Sequence, residues 1–186
     1  MSDLNQSKDV APKQESASTM PQREDRRREL TMWVLVSASV SDVSANEMFD
    51  RFELTVVEEH SEPTALEASE YYRIRRFEDD LPDSEEWAIH SAAVRARVEA
   101  FDLNAAGIDE AILKASPRWR IARMPVVDRS LLRLGVTELL FLPQPRPRAT
   151  INGCIELAKR YGEKKTPKFV NGILDQVRRD AAIPFK

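Results

Sequence analysis

The chain has 186 residues, 42% of them hydrophobic, with 5 glycines, 1 cysteine and a net charge of −3. That size supports one buried core plus tails, and a single cysteine rules out a disulfide framework and suits a reducing cytosol. No apolar run approaches the about 18 residues of a membrane span, and the polar N-terminus lacks the apolar centre of a signal peptide, so a cytoplasmic protein with no membrane partner is expected.

The small net charge conceals an asymmetry. Residues 42–86 carry 15 acids against 4 arginines, a net of −11, whereas residues 117–186 carry 15 Lys or Arg against 6 acids, a net of +9. A basic half beside an acidic half points to a polyanion-binding face, or else to two solvated helix surfaces.

In chain order, residues 1–24 are polar and rich in Ser, Gln, Pro and mixed charge, and are expected to form a disordered tail. Residues 25–183 are expected to form one helical domain. Its first helix opens at Glu24 and Asp25, carries Arg26, Arg27 and Arg28 on its first turns, and continues through the apolar run Leu30 to Val40. A second helix places Met48, Phe49, Phe52 and Val56 on one face, and a third is expected over Thr64 to Phe77. After the acidic loop, Asp83 or Ser84 caps a helix that shows Trp87, Val94, Val98 and Phe101 at helical spacing and is expected to break at Gly107.

Ile108, Ile112 and Leu113 form another short stripe before Pro117. Pro125 reads as the first residue of a long apolar helix through Leu131, Leu134, Leu139 and Leu142. The run PQPRPR, residues 143–148, is expected to be a connection that no helix crosses. Thr150 is expected to cap a helix ending at Gly162, and Thr166 to cap the last one, with Pro167 behind it. Strand-like alternation is nearly absent. The fold class is therefore all-α, with seven or eight helices.

Two Asn-Gly pairs, Asn152-Gly153 and Asn171-Gly172, sit inside helical periodicity instead of at hairpin turns. Glycine costs a helix about 0.5–1 kcal/mol relative to alanine. Two readings account for that cost: close packing of one helix on another, or a dent that admits an RNA backbone or a partner chain.

His60 and His90 stand isolated, Cys154 lies in an apolar helical run, and phosphate-binding loops, zinc-protease motifs and nucleophile elbows are missing. No catalytic residue, metal site or cofactor is expected, and a binding protein is favoured over an enzyme. Arg23, Arg26, Arg27 and Arg28 offer bidentate phosphate contacts. Lys164, Lys165, Lys168 and Phe169 surround the start of the last helix, where a phosphate is attracted and an aromatic ring can stack on a base. The competing readings are a solubilising helix start for the arginines and a core position for Phe169.

The blocks VVDRSLLRLGVTELL (126–140), ATINGCIELAKRYG (149–162) and KFVNGILDQV (168–177), with Trp119 and RRREL (26–30), resemble the transcription antitermination factor NusB family. The resemblance implies two packed helix bundles. It further implies binding of the boxA element of ribosomal RNA leaders, together with the ribosomal protein NusE, within an RNA polymerase antitermination complex. By position, the RNA side comprises Arg26, Arg27, Arg28, Lys165, Lys168 and Phe169, and the NusE side comprises Asp128, Tyr161, Val36 and Val40. Some members self-associate through the partner surface, so a homodimer is compatible with the family. This chain departs from the family pattern at Trp33 and Val36, at Gly153 and Cys154, at Lys164 and Lys165, and in its longer acidic 42–83 stretch. The alternative is a protein-interaction module that keeps the fold and has little RNA affinity.

Overall fold

The computed structural model describes residues 20–57 and 82–185. The expected helix over Thr64 to Phe77 and most of the expected tail lie outside the described residues. The elements are α1 (Met20–Ser41), α2 (Ala45–Val57), α3 (Ser84–Ala115), a 3-10 turn (Ile121–Arg123), α4 (Val126–Leu140), α5 (Pro147–Tyr161) and α6 (Thr166–Asp180). All six long elements are α-helices, and the described residues contain no strand. None of these helices is long and apolar enough to cross a membrane.

The first helix begins at Met20, ahead of the expected start at Glu24. Its residues Leu30 to Val36 are buried around the whole circumference, because α2, α3, α4 and α5 all pack on it. Helix α2 is held at its start by two caps. Ser44 Oγ accepts from Glu47 N at 3.1 Å, and the Asp102 carboxylate of α3 accepts from Asn46 N at 2.8 Å. Those bonds satisfy amide donors that a helix start otherwise leaves open. Phe49 and Phe52 of α2 then close on Trp87 of α3, with ring centroids 5.2 Å apart in both pairs.

Helix α3 starts as expected, with Asp83 Oδ1 accepting from Glu86 N at 2.7 Å. It does not break at Gly107. The irregularity falls at Asn104 (φ −120°, ψ 15°), whose side-chain amide donates to Ala100 O at 2.8 Å, and the helix runs on to Ala115. The asparagine side chain competes with the backbone ladder and kinks it without ending it.

Three boundaries in the second half move. Pro125 is the residue before α4 instead of its first residue. Helix α5 begins at Pro147, inside the proline-rich run, because a proline at the first helical position gives up no intrahelical bond. Thr150 is therefore a buried residue of the first turn and not its cap. Thr166 likewise lies one residue inside α6; its Oγ accepts from Glu163 N at 3.0 Å and donates to Asp128 Oδ1 at 2.9 Å. Helices α5 and α6 pack side by side on α4, and α3 bridges this C-terminal group to α1 and α2.

Candidate nucleic-acid interface

The arginine-rich start of α1 faces acids. Arg28 is 4% exposed, and its Nε donates to Glu138 Oε2 of α4 at 2.9 Å while Nη1 reaches Asp25 at 3.0 Å. Arg97 of α3 donates to the other Glu138 oxygen at 2.8 Å and to Glu24 at 2.8 Å. Thr150 of α5 donates to Glu138 Oε2 at 2.6 Å, so one carboxylate ties four helices together. Burial alone would raise the Glu138 pKa; the Arg28 and Arg97 guanidiniums and the Thr150 hydroxyl outweigh it and hold the carboxyl below its ordinary value. Buried and bonded to Glu138 and Asp25, Arg28 sits inside the fold and not on a surface, against its expected place on the RNA side.

Gly153 is explained by the same knot. A Cβ there would lie 2.9 Å from Arg28 Cδ and 3.0 Å from its Nη1, so the glycine makes room for the guanidinium to cross α5. Cys154 beside it is buried, and that burial pushes its thiol up to about 12, as suits a structural residue and not a nucleophile.

Arg26 and Arg27 are also committed to acids. Arg26 pairs with Glu29 at 2.7 Å and Glu86 at 2.7 Å, and Arg27 pairs with Glu24. Glu29, itself buried, accepts from Arg160 at 2.6 Å and from the Tyr161 hydroxyl.

A different picture holds where the 116–125 loop meets α6. Trp119, 52% exposed, stands 5.1 Å from the ring of the half-buried Phe169, at an interplanar angle of 59°. Arg118 and Arg120 flank Trp119 in the chain; Lys165 and Lys168 flank Phe169, and Lys164 and Arg123 lie close in sequence. All six of these cations are exposed, and none has an acidic partner among the described residues. Lys165, Lys168 and Phe169 were expected here. Trp119 and its arginines were not singled out as site residues, although Arg-Trp-Arg is itself the interleaving of cation and aromatic that a nucleic-acid surface uses.

The expected partner residues divide. Val36 is 3% exposed and packs in the core, so it does not form a surface. Val40, one turn further along α1, is 42% exposed. Asp128 and Tyr161 line one cavity of about 170 Å³ together with Pro125, Val126, Val127, Gly162 and Glu163. Burial and the nearby Glu163 raise the Asp128 pKa against the lowering effect of its bond to Thr166.

The profile of the NusB family matches residues 26–179. The transcription antitermination protein NusB of Sorangium cellulosum is 53% identical over 73 residues, which cover 39% of this chain and 51% of that protein. The chain spans about half the length of the first curated relatives it matches. Among solved structures, T. maritima NusB superimposes with a TM-score of 0.59 at 26% identity, covering 84% of this chain and 90% of that one. A chain from the crystal structure of a plectonemic RNA supercoil shares the fold, with a TM-score of 0.63 at 23% identity over 87% of this chain and 98% of that one. With a family profile spanning most of its length and an all-helical fold to match, the chain belongs to the NusB family.

Proposed function

We propose that this chain is a non-catalytic, cytoplasmic RNA-binding antitermination factor. In this reading it recognises a boxA-type ribosomal RNA leader together with the NusE ribosomal protein and joins the RNA polymerase elongation complex. Family membership supports the antitermination role. The observation that carries the RNA reading is the Trp119–Phe169 pair set among cations that have no acidic partner among the described residues. Unneutralised lysine and arginine attract phosphate, and exposed rings stack on unpaired bases. The RNA face is thus centred on Trp119, Lys165, Lys168 and Phe169, while Arg26, Arg27 and Arg28 serve chiefly to hold α1 in place. The partner surface comprises Val40 with the cavity lined by Asp128, Tyr161 and Glu163.

Fluorescence anisotropy of a short boxA RNA, with and without the ribosomal protein and against a scrambled RNA at the same salt, tests this reading. Selective binding that the ribosomal protein tightens is expected. Binding indifferent to sequence and to the ribosomal protein refutes it and leaves a protein-interaction module on the same fold.

A further inference from the structure

The chain has 5 glycines, and 4 of them have an internal neighbour that a side chain would meet. A Cβ at Gly135 or Gly162 would lie 2.6 Å from a neighbouring side chain, at Gly153 2.9 Å from Arg28, and at Gly107 3.5 Å from Phe141. At Gly172 it would meet nothing within 4 Å. Gly172 lies well inside α6, has no positive φ and is exposed. Neither backbone conformation nor packing among the described residues calls for a glycine, the poorest helix former after proline, at this position.

Its neighbours say what the gap is shaped for. The buried face of α6 is Thr166, Val170, Ile173, Leu174 and Val177. Gly172 lies on the opposite side, one turn beyond Lys168 and Phe169 and next to the exposed Asn171. One turn further on, Asp175 is neutralised by Arg178 at 2.9 Å and by Arg179. The strip therefore offers a cation with no acidic partner among the described residues, an amide and bare helix backbone beside the aromatic pair, with Asp175 already matched.

Building on the RNA-binding reading above, we infer that Gly172 is where the sugar-phosphate backbone of a bound single-stranded RNA passes against α6. The missing side chain lets the strand come within van der Waals contact of the helix. Lys168 and Asn171 then reach its phosphate oxygens, while a base turns toward Phe169 and Trp119.

The test uses the full chain and a boxA RNA oligonucleotide, comparing wild type with Gly172→Ala and Gly172→Leu by anisotropy and by thermal melting. The melting temperature should hold or rise in both variants, since helix propensity improves and the space is open. RNA affinity should fall in the order Ala then Leu, with Leu losing about tenfold, the size of a modest steric clash. The salt dependence should stay unchanged, because no charge is removed. Wild-type binding matched by the Leu variant overturns this inference alone, and a lowered melting temperature in the Leu variant overturns it by showing an internal packing role. Absence of selective wild-type binding overturns the RNA reading and this inference with it.

Discussion

The start of α1 and the corner between the 116–125 loop and α6 are both dense in positive charge, yet they spend it in opposite ways. At the start of α1, Arg26, Arg27 and Arg28 meet Glu24, Asp25, Glu29, Glu86 and Glu138, and the pairs with Glu86 and Glu138 join α1 to α3 and α4. At the loop–α6 corner, Arg118, Arg120, Lys165 and Lys168 meet no acid among the described residues and surround an exposed aromatic pair. Charge density alone does not mark a polyanion site. What matters is whether the fold has already neutralised the charge, and an ion pair that is buried holds structure together while leaving no field outside.

Removing a carboxylate from the first region should give the largest effect. Glu138→Gln takes from Arg28 and Arg97 the one buried carboxylate they share, leaving only the more exposed Asp25 and Glu24, and should destabilise the fold by about 3–5 kcal/mol in urea unfolding. A variant as stable as wild type would break the contrast, since the arginines would then be free enough to find water or ligand. In the second region, Trp119→Ala should leave urea unfolding almost unchanged and weaken RNA binding by about 1–3 kcal/mol, the worth of one stacked base. If RNA affinity survives that change, the aromatic pair is only a surface contact.

Gly153→Ala sharpens the first region further. The added methyl collides with Arg28, whose aliphatic stem has to shift, and overpacking of this kind costs about 1–3 kcal/mol. A gain in stability, as an open helical site would give, contradicts the cradle. The smallest effect is in pH. His90 is buried against α1; burial first, then Arg27, lowers its pKa from 6.5, although Glu86 opposes this. A histidine lowered in the fold contributes stability that is fully present above 6.5 and is lost as pH falls through the lower folded value. Urea unfolding should therefore show a mild decline beginning below that point, absent in His90→Gln. An NMR titration that places His90 at or above its ordinary value would contradict it.

Much of the fold was legible from spacing and punctuation. Asp83 before two glutamates marks the start of α3, and Gly162 ends α5 where the apolar period ends. The boundaries that moved depend on how proline and asparagine settle against their surroundings. Pro147 opens α5 because the first turn needs no donor there, and the kink goes to Asn104 because its side chain, unlike Gly107, actively takes up a backbone carbonyl. The candidate site was half legible. Lys165, Lys168 and Phe169 announce themselves beside a helix start, and Arg-Trp-Arg was readable as a motif. Its closeness to Phe169, 50 residues away, is a tertiary fact. The apolar run Leu30 to Val40 already marks α1 as buried on much of its circumference, which argues against Val36 as a surface residue, but nothing in the sequence shows that Arg28 is interior too, in an α1 that four other helices enclose.

The most direct test of the contrast compares two double variants in the same RNA titration over a range of salt. Lys165→Ala/Lys168→Ala should lower the affinity and flatten the salt dependence by about one unit per lost phosphate contact, whereas Arg26→Ala/Arg27→Ala should leave the slope near that of wild type. If instead the arginine pair flattens the slope and the lysine pair does not, then RNA lies along α1 and the face built on Trp119 and Phe169 is not the binding site.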